Sequence, residues 1–104
     1  MKYPIIVQSK TTVHPNRLYD HTAAAQLAGV SVRVFLIYWN RDIIEPAMNT
    51  GRYGIFFNDE AIFTVRKAEQ LKRDLGVNYP GVRAVLILQR RIEELTAEVR
   101  FLRN

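Results

Sequence analysis

Several residue types and segments that mark common functional sites are missing from this 104-residue chain. Cysteine is absent, which excludes disulfide bridges, thiolate zinc sites, iron–sulfur clusters and thiol nucleophiles. The longest apolar run, Val34 to Trp39, has six residues, whereas a membrane-spanning helix needs about 20. The first residues contain no long apolar stretch and no small-residue cleavage site, so we predict no signal peptide and expect a cytoplasmic protein.

Residues that could support catalysis are also few. His14 and His21 are the only histidines, the residue type that most often serves as a base near neutral pH. His21 follows Asp20 at a predicted helix start, where helix capping explains the pair better than a catalytic dyad does. The five glycines are isolated, so the sequence contains no glycine-rich phosphate loop. We therefore predict no enzymatic activity, no cofactor and no metal site.

Charge is the first positive indication of function. Fifteen Lys and Arg against ten Asp and Glu leave a net charge of +5, which permits nucleic-acid binding without establishing it. The excess is spread over the chain: residues 1–78 carry ten basic and seven acidic side chains, and residues 79–104 carry five and three. The sequence thus contains no basic arm. At 12.1 kDa, the chain is long enough for one hydrophobic core.

Two short helices around a glycine are predicted near the start of the chain. Asp20 is a suitable N-cap for a helix over His21–Ala28, and Gly29 ends that helix. Ser31 then caps a second helix over Val32–Asn40. Two short helices joined in this way are typical of a helix-turn-helix.

The pattern that follows predicts a β-hairpin wing and two longer helices. Residues 43–46 and 53–57 are the predicted strands of the wing. The third helix runs from the cap Asn58 to about Leu75, and Asn78 caps the fourth. The predicted organisation is an extended N-terminal segment (1–18), a winged helix-turn-helix head (19–78) and a C-terminal dimerisation helix (79–104). The predicted fold class is mainly α.

The fourth helix carries an apolar heptad pattern, which we call the seam. Its residues are spaced alternately by three and four, as in the a and d positions of a coiled coil. They are Val85, Leu88, Ile92, Leu95, Val99 and Leu102. The seam could pack on the same chain, but its second half projects beyond the last loop, so we predict a homodimer. Arg91 and Glu98 would be complementary between antiparallel helices, although the sequence leaves the orientation open.

The order of these elements resembles a known family. The string Leu-Ala-Gly-Val-Ser-Val-Arg at 27–33, followed by Ile-Ile-Glu-Pro at 43–46, a wing and a helix, resembles the MerR-like winged helix-turn-helix over about residues 19–76. The C-terminal part, with Leu-Gly-Val-Asn-Tyr-Pro-Gly-Val at 75–82 and Arg-Ile-Glu-Glu-Leu at 91–95, is similar to its heat-shock branch. That branch contains the HspR repressors, which bind DNA. It also contains the CbpM chaperone modulators, which bind and inhibit the J-domain of the DnaJ-like co-chaperone CbpA.

Departures from the family pattern bear on the choice between these two groups. DNA-binding members typically have threonine at the position of Val34, arginine at that of Leu36 and a wing arginine at that of Ile55. Loss of such donors weakens phosphate binding. The basic side chains that remain for DNA binding are Arg33, Arg41, Arg52, Lys67 and Arg73.

The apolar second helix instead favours a protein partner. Six consecutive apolar residues cover the whole circumference of a helix, so we expect part of this surface to be exposed unless residues 3–13 fold over it. The resemblance implies a basic J-domain as partner, for which acidic side chains would be complementary. The predicted contact residues are Leu36, Tyr38, Trp39, Asp42, Glu45, Asp59 and Glu60. A chaperone modulator is therefore our predicted function; the alternatives are a MerR/HspR-like DNA-binding regulator and a subunit of a larger assembly.

Overall fold

A computed structural model of the chain describes residues 17–104. His14 and the predicted extended segment, apart from residues 17 and 18, lie outside the described residues. The elements in chain order are α1 (His21–Ala28), α2 (Val32–Asn40), β1 (Met48–Asn49), β2 (Ile55–Phe56), α3 (Asp59–Leu75) and α4 (Tyr79–Arg103). The predicted mainly helical fold, with a small wing and a long C-terminal helix, is confirmed.

The helix-turn-helix forms where the capping residues predict it. The Asp20 carboxylate accepts a hydrogen bond from the Ala23 amide at 2.8 Å, and the Ser31 hydroxyl accepts one from the Val34 amide at 3.1 Å. Between the helices, Gly29 has φ +78°, a left-handed conformation that glycine adopts without a steric penalty. The two helix axes meet at 101°, within the usual range for a helix-turn-helix.

The wing is a short antiparallel hairpin in which β1 was predicted too early. Met48 pairs with Phe56 and Asn49 with Ile55. The predicted first strand, residues 43–46, has no strand conformation, because the amides of Ile43 and Ile44 both donate to the Tyr38 carbonyl at the end of α2. The apolar residues there reflect this helix ending and the burial of Ile44. The predicted second strand, 53–57, contains β2 but begins two residues too early.

The structure consists of two compact units that divide between Arg66 and Lys67, within α3. In the described part of the first unit, Tyr19 forms an antiparallel bridge with Phe57 through two 2.8 Å backbone hydrogen bonds. Phe57 is fully buried, and its ring meets that of Phe35 edge to face at a centroid distance of 4.9 Å. Alanines from α1 and α3 complete the buried core, so the first unit has an interior of its own. The predicted boundary at residues 78 and 79 stays a prediction.

The second unit contains the end of α3 and all of α4. As predicted, Asn78 caps α4, by accepting a hydrogen bond from the Gly81 amide at 2.9 Å. Pro80 lies in the first turn of this helix. The Lys72 ammonium lies 4.0 Å from the centroid of the Tyr79 ring, a cation–π contact across the turn between the two helices. Only Ala68 and Val82 are buried apolar side chains in this unit.

No single helix within residues 17–104 has both the length and the apolar composition of a membrane span. Helices α1 and α2 meet that test only when they are taken together as a bent pair.

Candidate functional site

The surface of α2 is mainly apolar. Of its nine residues, only Arg33 and Asn40 are exposed, and Phe35 and Tyr38 are buried. The other five are apolar and half-buried: Val32, Val34, Leu36, Ile37 and Trp39. The second helix of this helix-turn-helix therefore presents one cation among aliphatic and aromatic side chains.

Two aromatic residues at the end of α2 have different environments. Tyr38 has no exposed surface, so its prediction as a contact residue is wrong. The reason is helical geometry, since Tyr38 lies three residues after the buried Phe35 and shares its face. Trp39 is half-buried, with its ring at 5.7 Å from that of Phe57, and Leu36 is half-buried as well. The accessible apolar part of the predicted contact set is therefore Leu36 and Trp39.

The acidic residues also divide between surface and interior. Asp42 and Glu45 are exposed, and Glu60 is half-buried. Asp42 has φ +61°, and its amide donates to the Trp39 carbonyl at 3.0 Å, so its backbone is hydrogen-bonded to the end of α2.

Asp59 is a correction to the predicted acidic surface, because it is only 9% exposed. The Tyr19 hydroxyl donates to an Asp59 carboxylate oxygen at 3.0 Å. Burial and this hydrogen bond raise the pKa of Tyr19 above its usual value near 10. Asp59 therefore holds the chain entering α1 to the start of α3, and it does not offer its charge to a partner.

The cations proposed for DNA binding are exposed, but acids balance them in the first unit. Arg33, Arg41 and Arg52 lie in the first unit, whereas Lys67 and Arg73 lie in the second. Residues 17–66 carry five basic and five acidic side chains, and residues 67–104 carry eight and five. The described part of the unit that contains the helix-turn-helix and the wing is thus formally neutral.

The wing has an exposed aromatic residue that the sequence analysis did not select. Tyr53 is 76% exposed, and the Arg52 guanidinium carbon lies 5.9 Å from the centre of its ring. Tyr53 was predicted as the first residue of the second strand, and its position next to the hairpin loop was the available signal, because hairpin loops face solvent.

The seam on α4 is exposed along most of its length. Val85 is half-buried, whereas the relative exposure of Leu88 and Ile92 is 61% each. Leu95, Val99 and Leu102 are also exposed, at 42%, 52% and 76%. Before the exposed part of the seam, Val82 is buried, and Val85 and Leu86 are half-buried.

Catalytic and metal-binding clusters are not apparent in the part of the chain that the structure describes. No group of three or more His, Cys, Asp or Glu side chains in residues 17–104 is arranged to hold a metal ion.

The right-angled helix pair, the hairpin and the long C-terminal helix define a winged helix-turn-helix protein. Residues 20–104 match the MerR family of helix-turn-helix regulatory proteins, and the chain belongs to that family. It is 29% identical over 80 residues to a Streptomyces coelicolor protein named as a heat shock protein, HspR. This alignment covers 77% of the chain and 52% of the relative, so the chain spans about half of that protein's length. The predicted MerR resemblance is confirmed.

Proposed function

We propose that this MerR-family protein is a non-enzymatic chaperone modulator, which binds the J-domain of a DnaJ-like co-chaperone and blocks its coupling to the chaperone. The observation that carries this proposal is the surface of α2. A helix that reads DNA presents polar and basic side chains to bases and phosphates. In α2, by contrast, five side chains are apolar and half-buried, and only one side chain, that of Arg33, is basic.

The contact surface that we propose combines the apolar and acidic residues that are accessible. We call Leu36, Trp39, Asp42 and Glu45 the contact patch; Glu60 is a peripheral member. An aromatic anchor with surrounding polar residues is typical of protein interfaces. The exposed carboxylates of Asp42 and Glu45 would complement a basic J-domain surface.

Charge balance supports a protein partner as well. Non-specific DNA affinity comes mainly from phosphate neutralisation, which needs a local excess of cations. The described part of the first unit offers an excess of only one cation, since it has five basic and five acidic side chains and Asp59 is buried. Local complementarity to a basic partner needs only exposed acidic side chains, such as Asp42 and Glu45.

We also propose that the modulator is a homodimer held by the seam. Five of the six seam residues are at least 42% exposed in a single chain. A stripe of this length along one helix face is typical of a coiled coil and is costly to leave in water. The occupant that fits a heptad stripe is another heptad stripe, and this chain provides one in each copy.

Binding to a purified J-domain, measured by isothermal titration calorimetry, tests the proposed function. We expect saturable binding that weakens at least tenfold in Trp39→Ala, because an interface anchor contributes about 2 kcal/mol or more. Since the Trp39 ring contacts Phe57, the charge-neutralising pair Asp42→Asn and Glu45→Gln provides a second variant that leaves the core intact. Tyr53→Ala is the matched control, an exposed aromatic in the wing. No binding by a folded wild-type protein would refute the proposal.

DNA binding is the second candidate, favoured by the family and by two exposed arginines. Arg33 lies in the first turn of α2, and Arg52 lies in the wing loop. If the chain is a DNA-binding regulator, promoter DNA should be retarded at sub-micromolar protein with a steep salt dependence. Arg33→Ala should abolish that retardation, whereas Arg100→Ala, at the far end of α4, should not.

A further inference from the structure

We propose that Tyr53, in the wing loop (residues 50–54) between β1 and β2, is a phosphorylation site, at which a tyrosine kinase transfers the γ-phosphoryl group of ATP to the phenolic oxygen. In this step the bond between the γ-phosphorus and the oxygen that stays with ADP breaks, and a bond between phosphorus and the tyrosine oxygen forms. The phenolic proton is released, and the products are phosphotyrosine and ADP. Tyr53 lies outside the contact patch, so this inference does not depend on the proposed function.

Accessibility separates Tyr53 from the other tyrosines of residues 17–104. Tyr53 is 76% exposed, and its hydroxyl forms no hydrogen bond within these residues. Tyr38 has no exposed surface, whereas Tyr19 and Tyr79 are half-buried. A kinase must take the acceptor hydroxyl into its own active site, in line with the γ-phosphate of ATP. In the part of the folded chain that the structure describes, Tyr53 is the tyrosine that meets this requirement.

The construction of the wing loop allows it to enter an enzyme's active site. The loop joins strands of only two residues each, and residues 50–53 are all exposed. Thr50 closes the loop through two 3.0 Å hydrogen bonds to the Gly54 carbonyl, one from its amide and one from its hydroxyl. Segments with few buried contacts open locally at a small cost in free energy. The loop can therefore extend across a kinase surface while the core around Phe57 stays folded.

The charge around Tyr53 suits a phosphate group. Arg52 is the only charged side chain among residues 46–58, so this segment has no carboxylate that would repel the phosphate. The Arg52 guanidinium carbon lies 5.9 Å from the centre of the Tyr53 ring, and the side chain forms no ion pair within residues 17–104. A phosphate on tyrosine forms charge-assisted hydrogen bonds with a neighbouring arginine. Arg52 is therefore the residue that pairs with the phosphate once it is attached.

Phosphorylation at this position reverses the charge of the wing. Residues 46–58 contain one basic side chain, that of Arg52, and no acidic one, which gives a net charge of +1. A phosphotyrosine adds about −1.5 to −2 charges at neutral pH, so the wing becomes negative. Asp42 and Glu45 of the contact patch lie outside this segment. The modification therefore acts as a charge switch on the wing and leaves the side chains of the contact patch unchanged.

Phosphorylation of the folded full-length chain tests the site. The chain is incubated with magnesium ATP and the catalytic domain of a broad-specificity tyrosine kinase, and a copolymer of glutamate and tyrosine shows that the kinase is active. Mass spectrometry of the intact chain and of its peptides measures the phosphate at each tyrosine. We expect Tyr53 to be modified faster than Tyr19 or Tyr79. Tyr53→Phe should abolish phosphorylation of the wing peptide, whereas the matched variant Tyr79→Phe should leave the rate at Tyr53 unchanged.

Two results of this experiment would overturn the inference. The first is a kinase that phosphorylates the copolymer but leaves Tyr53 of the chain unmodified. The second is phosphorylation of Tyr19 or Tyr79 at the same rate as Tyr53, because the exposure of the wing loop would then confer no preference. Far-ultraviolet circular dichroism, recorded under the assay conditions, establishes that the chain is helical during the reaction.

The role of Arg52 is tested on the phosphorylated protein. A neighbouring cation favours the doubly charged form of the phosphate and so lowers its second pKa. Arg52→Ala should therefore raise that pKa, as measured by phosphorus nuclear magnetic resonance during a pH titration. Arg41→Ala, at an exposed arginine outside the wing, is the matched control and should leave the pKa unchanged. Equal pKa values in the wild type and Arg52→Ala would contradict the pairing of Arg52 with the phosphate.

Discussion

The two units of this protein differ in how far each completes its own interior. In the described part of the first unit, residues 17–66, aromatic side chains from α2 and the wing meet in a closed core around Phe57. In the second unit, residues 67–104, only Ala68 and Val82 are buried apolar residues, and most of the seam faces solvent. A helix of 25 residues is stable in water only when its apolar face is covered. The first unit therefore encloses apolar side chains of its own, whereas the second leaves most of its apolar seam exposed.

Charge divides along the same boundary. Residues 17–66 are balanced, with five side chains of each sign, whereas residues 67–104 have eight basic and five acidic side chains. The overall excess of positive charge therefore does not describe the helix-turn-helix. The net charge of a small protein can thus point to nucleic acid while the part expected to bind it has little excess charge.

The largest expected effect is on the core of the first unit. Phe57→Ala should lower its free energy of unfolding by about 3–5 kcal/mol, because a fully buried ring is replaced by a cavity. Urea denaturation followed by the fluorescence of Trp39 measures this loss. Phe101→Ala, at a ring that is 78% exposed, is the control and should change stability by less than about 0.5 kcal/mol. Equal losses in the two variants would contradict the contrast between the units.

The next effect is on association through the seam. Leu95→Asp should raise the dimer dissociation constant at least about 100-fold, because each copy would then bury a carboxylate in the apolar seam. Size-exclusion chromatography and sedimentation measure the change. Ala97→Asp, on the opposite face of α4, should leave the dimer intact. If Leu95→Asp stays fully dimeric, the seam is not the interface.

A smaller loss of stability is expected from substituting the two glycines that end α1 and α3 in a left-handed backbone conformation. Gly29 has φ +78° and Gly76 has φ +68°, and an added Cβ would meet nothing within 4 Å at either position. Alanine should therefore cost about 1–2 kcal/mol at each, from backbone conformation alone. Thermal unfolding of the two variants, one in each unit, shows whether the units melt together. Two unfolding transitions, with only one shifted in each variant, would show that they melt separately.

The smallest effect is expected at the contact between Tyr19 and Asp59. Tyr19→Phe removes one hydrogen bond and should cost about 1 kcal/mol at neutral pH. Because the pKa of Tyr19 is raised, the folded state holds this proton more tightly than the unfolded state does. Wild-type stability should therefore fall as the pH rises above about 10, and Tyr19→Phe should lose less over that range. The free energy of unfolding of both proteins, measured by denaturation at pH 8 and pH 10.5, tests this. An equal loss of stability in the two proteins over this range would show that Tyr19 is not linked to folding.

Local signals were sufficient to predict the helices. Asp20, Ser31, Asn58 and Asn78 each accept a hydrogen bond from the first turn of the helix that they precede. A cap acts within three residues along the chain, so its effect can be read from sequence. The 3–4 spacing of the seam is equally local, and the sequence therefore predicted both the position of α4 and the composition of its apolar face.

The tertiary structure decided which residues of the apolar run at 34–39 remain accessible. Periodicity alone could not separate Tyr38 from Trp39, because an unbroken apolar run has no polar face to orient the helix. In the folded chain Tyr38 is buried, whereas Trp39 is half-buried with its ring against Phe57. Likewise, Ile44 has a strand-like sequence context, but its amide caps the end of α2, and Asp59 was expected on a surface but lies beneath Tyr19. Caps and heptads are set by neighbours in sequence, whereas burial is set by partners about 20 to 40 residues away, which no local pattern specifies.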